Sequence, residues 1–171
     1  MADASPADAP TPDAPLVIGL ISDTHGMVRA SVFDALAGVR LLLHAGDVGG
    51  EDVLAELAAI APVRAVYGNT DWAGHPGLER ELVLSLGGLS VHVSHGHELG
   101  RPTPERLLAA YPQDVLVYGH THRQLVARGG DGRLVVNPGA AGARRFDLKP
   151  SVARLTITEG RADVVLVDLP A

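Results

Sequence analysis

The sequence has no cysteine, so disulfide bonds and thiolate metal sites are both excluded. Any metal ion that the protein binds must therefore be held through nitrogen and oxygen atoms. The absence of thiol groups is also compatible with a reducing compartment, in which structural disulfides are rare.

Positive charge is scarce as well, since 14 lysine and arginine residues stand against 20 aspartate and glutamate residues, for a net charge of −6. A protein that follows a nucleic-acid backbone needs a broad basic surface, which this balance does not supply. We therefore expect no long nucleic acid among its partners.

The sequence also lacks long hydrophobic runs. The apolar stretches are far too short to cross a bilayer, so we expect no membrane partner. Residues 1–14 are rich in Ala, Pro and Asp and lack both the positive start and the apolar block of a signal peptide. They are predicted to be a disordered tail, and the protein is expected to be cytoplasmic. Residues 15–171 are predicted to form a single domain, for which 46% hydrophobic residues supply an adequate core.

The first half of the chain alternates strands with short helices, which favours parallel pairing and an α/β fold. Ser31 is the predicted N-cap of the first helix, and Pro62 marks the end of the second. The strands are predicted at residues 16–22, 39–44 and 63–67, and the helices at residues 31–37 and 51–60.

Beyond residue 76 the pattern changes to short strands joined by tight turns, which indicates antiparallel pairing. Gly87-Gly88 is a strong hairpin signal, and Thr103-Pro104 predicts the start of a helix that ends at residue 110. The further strands are predicted at residues 81–86, 89–94, 114–118, 124–128, 134–137, 151–158 and 162–169. Strands of both kinds in one domain predict two mixed β-sheets packed face to face, with helices outside.

Five of the apolar runs end on clusters of polar side chains. In Gly119-His120-Thr121-His122, alternation on an extended backbone sends both imidazoles to the same side, which indicates a metal site. Because the carboxyl ends of neighbouring strands face one crevice, ligands distant in sequence can converge there. The other clusters contain Asp23 with His25, Asp47, Asn69 with Asp71, and His95 with His97.

In this order, the motifs Asp-x-His, Gly-Asp, Gly-Asn-x-Asp, His-Gly-His and Gly-His-x-His resemble the signature of the calcineurin-like metallophosphoesterase superfamily. The resemblance runs from Asp23 to His122, and the Asn137-Pro138-Gly139 loop is similar to one in its small bacterial phosphodiesterase branch. It implies a four-layer αββα sandwich with two mixed β-sheets, an α/β fold that some schemes class as α+β.

The resemblance also implies a dinuclear metal site. Its ligands would be Asp23, His25 and His122 for the first ion, Asn69, His95 and His120 for the second, and Asp47 as the bridge. Carboxylate, amide and imidazole groups suit divalent ions, with Mn²⁺ expected first and Fe, Zn, Co or Ni left open by ligand type. A hydroxide that bridges two such ions would attack phosphorus, so no side-chain nucleophile is required.

The third motif departs from the wider family, in which a histidine often occupies the position of Thr70. A hydroxyl group is a poor general acid at neutral pH, so another residue would have to protonate a demanding leaving group. His97 is one candidate proton donor, and Asp71 could orient either a substrate or a ligand. Thr70, Asp71 and His97 are therefore the candidate catalytic residues.

Other polar residues have ordinary structural interpretations. His44 lies inside an apolar run, and we expect it to be hydrogen-bonded behind the ligands, whereas His92 is expected on the other face of its strand. Arg123, Arg144 and Arg145 are interpreted as surface charge, with contact to a substrate phosphate as the alternative.

The predicted function is hydrolysis of small phosphodiesters by a dinuclear metal-dependent phosphoesterase, with phosphomonoesters as secondary substrates. Two alternatives are open on the same fold: a non-catalytic scaffold, as in a retromer subunit resembling this family, and a regulatory protein that binds nucleotides. Scaffolds of this kind usually lose ligand residues, and none is lost here. Self-association into a homo-oligomer is also left open.

Overall fold

A computed structural model describes residues 14–145 and 147–170. The predicted tail, apart from Ala14, lies outside these described residues and stays a prediction. The strands are β1 (Leu16–Ile21), β2 (Leu41–His44), β3 (Val63–Ala65), β4 (Leu82–Leu86), β5 (Leu89–Val93), β6 (Val115–Val117), β7 (Leu125–Arg128), β8 (Leu134–Asn137), β9 (Ser151–Thr158) and β10 (Arg161–Asp168). The helices are α1 (Ala30–Ala35), α2 (Glu51–Leu57) and α3 (Pro104–Ala110), with a 3₁₀ turn at His97–Leu99. Within the described part of the chain, no helix is long and apolar enough to cross a membrane.

The strands form two five-stranded sheets, and each sheet mixes parallel and antiparallel pairs. The first has the order β10-β9-β1-β2-β3, with β1, β2 and β3 parallel and β9 antiparallel to both of its neighbours. The second has the order β4-β5-β6-β8-β7, with β5, β6 and β8 parallel and the two outer strands antiparallel. The two mixed sheets are as predicted.

Alternating side chains on the strands determine how the layers stack. Ile18 and Leu20 of β1 lie in the apolar core between the two sheets, whereas Ile21 packs with the apolar residues of α1 and α2. A strand that is buried on both faces needs such a continuous apolar run. On the outer face of the second sheet, Leu107 of α3 packs against residues of β6 and β8. The order helix, sheet, sheet, helix confirms the predicted αββα sandwich.

Two local signals in the second half of the chain are confirmed. Thr103 is the N-cap of α3, and its side chain accepts a hydrogen bond from the Arg106 amide at 3.2 Å. Gly87 and Gly88 connect β4 and β5 with φ angles of 57° and 86°. Positive φ at both central residues is what a two-residue hairpin turn requires, and glycine adopts it without steric cost.

The first two helices differ from the prediction at their ends. Ser31 is not the N-cap of α1: the helix begins at Ala30, and Arg29 is the capping residue, without a side-chain hydrogen bond. The amide of Val32 already donates to the Arg29 carbonyl at 3.0 Å, so the first turn closes before Ser31 could cap it. Helix α2 ends at Leu57 instead of residue 60, because the amides of Ala59 and Ile60 bond to carbonyls three residues back and tighten the chain into a turn.

Candidate metal centre

The seven predicted ligands all follow the carboxyl ends of strands that pair in parallel. Such strand ends in an α/β sheet face a common crevice. The first sheet contributes Asp23 and His25 after β1, Asp47 after β2 and Asn69 after β3; the second contributes His95 after β5 and His120 and His122 after β6. The ligand atoms therefore come from both sheets.

A first group of ligand atoms surrounds one oxygen of Asp23. The Oδ1 atom lies 3.3 Å from His122 Nε2 and 3.9 Å from His25 Nε2. The two imidazole nitrogens are themselves 3.5 Å apart. Three atoms of the kinds that bind divalent ions thus converge on one point, and two of them come from the first sheet and one from the second.

A second group lies beside the first and is completed by an amide oxygen. Asn69 Oδ1 lies 3.0 Å from His95 Nε2 and 3.1 Å from His120 Nδ1. The carboxylate of Asp47 joins the two groups, because its Oδ2 atom is 3.4 Å from His95 Nε2 and 3.7 Å from His25 Nε2. The structure therefore brings all seven predicted ligands together.

The backbone at these positions is unusual. Five of the predicted ligands are non-glycine residues with positive φ angles, a conformation that costs energy and persists only where the surroundings enforce it. They are Asp23 at 52°, His25 at 47°, Asp47 at 53°, His120 at 71° and His122 at 61°. Backbone in this conformation is thus concentrated at the residues that were predicted from the sequence to bind metal.

The two oxygens of Asp23 have different partners. Oδ2 accepts hydrogen bonds from Ser22 Oγ at 2.7 Å and from the His120 amide at 3.2 Å. Oδ1 is buried and has no hydrogen-bond partner among the described residues. A buried acceptor left in this state costs roughly 1–3 kcal/mol, which a cation at the convergence of the ligand atoms would offset. This donor set and its orphaned oxygen fit a divalent ion.

The distances between the ligand atoms also indicate a site for a divalent ion. Ligand atoms of Asp23, His25 and His122 lie within 4.8 Å of one another, and so do those of Asp23, Asp47 and His95. Asn69 extends the second set with a neutral oxygen. Carboxylate, amide and imidazole ligands in this combination suit hard or borderline divalent cations.

The charge states also suit a cation. Burial raises the pKa of Asp47, but hydrogen bonds from His95 and from the Thr70 amide outweigh it and bring the pKa below its usual range. Burial lowers the pKa of His95, and the carboxylates of Asp47 and Asp23 more than reverse this. The Asp47 carboxylate is therefore ionised, and a metal ion that binds His95 would displace a proton from its ring.

A neighbouring carbonyl fixes the orientation of the His95 ring. Its Nδ1 atom lies 2.8 Å from the Ala45 carbonyl oxygen, which can only accept a hydrogen bond. Nδ1 must therefore carry a proton of its own, and Nε2, which faces Asn69 and Asp47, is the nitrogen that would bind a metal ion after losing its proton. A histidine held in this way is a typical metal ligand.

His44 lies behind the ligands, as expected. Its Nδ1 accepts from the Gly46 amide at 3.1 Å, and its Nε2 lies 2.9 Å from Thr24 Oγ1, whose hydroxyl donates to the Val48 carbonyl at 2.8 Å. Burial lowers the pKa of His44 to about 4. The neutral ring thus connects the loops that carry Asp23 and Asp47. His92, by contrast, stacks on Tyr111 on the outer face of its sheet, also as expected.

The three candidate catalytic residues have different surroundings. The carboxylate of Asp71 accepts from the amides of Val48 and Gly68 at 2.9 Å and of Gly49 at 3.0 Å, which favours ligand positioning over substrate contact. Thr70 is exposed, and its amide donates to Asp47 Oδ1 at 3.0 Å.

His97 lies beside the second ligand group. Its ring centroid is 5.3 Å from that of His95 and 6.3 Å from that of His120. The ring is 31% exposed, so it is accessible to a bound substrate without being fully solvated. Among the three candidate catalytic residues, it is the one with an imidazole ring beside the ligands, and an imidazole can donate a proton.

Several residues that hold the ligand loops in place were not predicted from the sequence. A side chain at Gly68 would overlap the carboxylate of Asp47, and one at Gly119 would overlap Ser22 Oγ, so both positions require glycine. The sequence did contain a signal for these two glycines, since each directly precedes a predicted ligand in its motif. Asn137 Nδ2 donates to the Gly119 carbonyl at 3.1 Å and to Thr121 Oγ1 at 3.0 Å, and thereby holds the loop of His120 and His122.

Comparison with known proteins gives one consistent family. The profile of the calcineurin-like phosphoesterase superfamily domain matches residues 16–160. A protein of Methanothermobacter thermautotrophicus named as a probable metallophosphoesterase is 36% identical over 162 residues, which cover 89% of this chain and 92% of the relative. A phosphodiesterase of Methanocaldococcus jannaschii is 29% identical over 140 residues, which cover 71% of this chain and 82% of that protein.

The fold is likewise shared with solved structures. Vps29 from Entamoeba histolytica, in a crystal structure described as a complex with Zn²⁺, superposes with a TM-score of 0.72 and 25% identity. The match covers 89% of this chain and 98% of that one. The sandwich is thus the fold of a known structural family.

Proposed function

The chain belongs to the calcineurin-like phosphoesterase superfamily and is a metal-dependent phosphoesterase, and on this basis we propose that it hydrolyses small phosphodiesters with two divalent ions. Phosphomonoesters are secondary substrates in this proposal. The phosphodiesterase relative from Methanocaldococcus jannaschii supports the diester preference.

The position of Asp47 is the observation that carries the dinuclear proposal. Its Oδ2 atom lies between His25 Nε2 and His95 Nε2, at 3.7 and 3.4 Å. One carboxylate oxygen between two sets of ligands is what a bridging ligand requires, since its negative charge reduces the repulsion between two cations. In this proposal Asp23, His25 and His122 hold the first ion, and Asn69, His95 and His120 hold the second.

The ions themselves would supply the chemistry that the side chains lack: when bound, they activate water as a nucleophile at neutral pH and neutralise charge on the phosphoryl oxygens. Mn²⁺ is the proposed ion, because oxygen and imidazole ligands suit it. The Zn²⁺ complex of the structural relative keeps zinc in consideration, and Fe, Co and Ni bind similar ligand sets.

The protein supplies orientation and a proton. Ser22 and the His120 amide hold one oxygen of Asp23 so that the other faces the ligand group. The ring of His97, beside His95 and His120, is the proposed proton donor to the leaving oxygen, in place of the histidine that many family members have at the position of Thr70.

Metal-dependent hydrolysis of bis(p-nitrophenyl) phosphate tests the proposal. We expect the metal-free protein to be inactive, Mn²⁺ to restore turnover, and mass spectrometry of the purified holoprotein to find two ions per chain. Asp47→Asn removes the bridging charge and should lower kcat by about a hundredfold. Asp34→Asn, the same change at an exposed residue of α1, should leave the rate unchanged.

Three results would contradict the proposal: turnover without any divalent ion, one ion per active chain, or full activity of the Asp47→Asn protein. Absence of turnover with every divalent ion would instead favour the scaffold alternative or the nucleotide-binding alternative. Calorimetry with cyclic nucleotides then separates these two.

A further inference from the structure

A cleft of about 260 Å³ opens beside the two histidines that follow β6. Its walls include His120, His122, Arg123 and Arg145. Two guanidinium groups therefore share a cavity with two proposed metal ligands. We call this cavity the arginine cleft. Arg144, the neighbour of Arg145, is exposed and does not line it.

Among the residues that the structure describes, the two arginines of the cleft have no side-chain partner. Within residues 14–145 and 147–170, neither guanidinium donates a hydrogen bond or forms an ion pair. Other arginines of this protein do act structurally: Arg133 donates to the carbonyls of Tyr111 and Leu108, and Arg154 donates to those of Ala35 and Ala37. Both guanidinium groups belong to exposed residues and are therefore available to a ligand in the cleft.

The arginine cleft is positively charged, whereas the whole chain carries a net negative charge. A second cavity of about 390 Å³ shares His122 and Arg123 with the cleft and adds Lys149 to its lining. Asp147 and Asp168 also line that second cavity and balance its two cationic groups, so the excess of positive charge lies in the arginine cleft, whose lining contains no carboxylate among the described residues. In a protein with a net charge of −6, cationic groups next to the metal centre attract anions to one side of it.

Guanidinium groups match phosphate oxygens two at a time, so the chemistry of the cleft is that of a phosphate subsite. We propose that the arginine cleft binds a second phosphate group of the substrate, next to the phosphodiester that is hydrolysed. The preferred substrates are then small phosphodiesters in which one alcohol carries a further phosphate monoester. The inference rests on the proposed function, because it assigns the scissile phosphate to the metal centre and the second phosphate to Arg123 and Arg145.

A matched pair of substrates tests this inference. The p-nitrophenyl ester of thymidine 5′-phosphate and the same ester with an added 3′-phosphate have one leaving group and differ by one phosphate. With Mn²⁺-loaded protein, the added phosphate should raise kcat/KM by about tenfold, through a lower KM. Arg123→Gln and Arg145→Gln should each reduce this ratio towards one, whereas Arg144→Gln should preserve it.

Binding supplies a second measurement that does not need turnover. Thymidine 3′,5′-bisphosphate should bind the Mn²⁺-loaded protein about tenfold more tightly than thymidine 5′-phosphate in calorimetry, and Arg123→Gln should abolish the difference. An unchanged ratio in both arginine variants, or equal affinity for the two nucleotides, overturns the inference and leaves the proposed function intact. Failure to hydrolyse either ester with any divalent ion rejects the proposed function, and the calorimetry still decides the cleft.

Discussion

At the scale of the residue, the buried side chain of His44 links the two loops that carry Asp23 and Asp47. The ring accepts from the Gly46 amide and donates to Thr24, so only the neutral form satisfies both contacts. Protonation of Nδ1 would set two donors against each other in a fully buried position. Burial accordingly lowers the pKa of His44 from 6.5 to about 4.

This depressed pKa predicts how stability depends on pH. The unfolded chain binds a proton at His44 below pH 6.5, whereas the folded protein binds it only near pH 4, so stability falls as pH is lowered through this window. The loss should be about 1.4 kcal/mol per pH unit. Urea unfolding of metal-free wild type and His44→Gln, at pH 7 and pH 5, measures it. The advantage of the wild type over the variant should shrink at pH 5, and an equal advantage at both pH values would contradict the interpretation.

At the scale of the element, Asp71 ties together the turns after β2 and β3. Its carboxylate accepts from the amides of Val48, Gly49 and Gly68, which adjoin the ligands Asp47 and Asn69. Because hydrogen bonds from three amides fix the relative position of the two turns, Asp71 acts on the metal centre through the backbone. It is a positioning residue and needs no contact with substrate.

Asp71→Asn should therefore weaken metal binding more than it weakens folding. The amide that replaces the carboxylate directs an NH₂ group at backbone donors, which separates the two turns and should lower Mn²⁺ affinity by about tenfold. Calorimetric titration with Mn²⁺ measures the affinity, and thermal unfolding in chelator measures the fold. Asp163→Asn, at an exposed residue of β10, is the matched control and should bind Mn²⁺ as the wild type does. Equal affinity in the two variants would leave Asp71 without a positioning role.

Sequence patterns predicted the strands and the ligand clusters because both are local. The alternation of apolar residues in β1 and the glycines at 87 and 88 act over a few residues, and the structure follows them. The pairing of β9 with β1 could not be predicted in this way, because the two strands lie more than a hundred residues apart in the sequence and nothing in either strand specifies its neighbour. The hydrogen bonds of Asp71 and Asn137 could not be predicted for the same reason, because their partners belong to turns that are distant in the sequence.

At the scale of the whole molecule, the metal centre joins the two sheets. Asp23 and His25 extend from the first sheet and meet His122 from the second, while Asn69 of the first sheet meets His95 of the second. The apolar core between the sheets also holds them together. Ions bound at the centre would therefore stabilise the packing of the sandwich as well as activate water.

Metal removal should for this reason lower the thermal stability of the entire protein. Binding to the folded state alone contributes about 2.7 kcal/mol at a hundredfold excess over Kd, which corresponds to a Tm increase of roughly 5–10 °C for a chain of this size. Scanning calorimetry with Mn²⁺ and with chelator measures the increase. His122→Ala removes a ligand of the second sheet and should reduce it, whereas His75→Ala, at a loop histidine outside the ligand set, should not. Identical Tm values with and without Mn²⁺ would mean that the two sheets are not joined by metal, because an ion that binds only the folded sandwich cannot leave its unfolding unchanged.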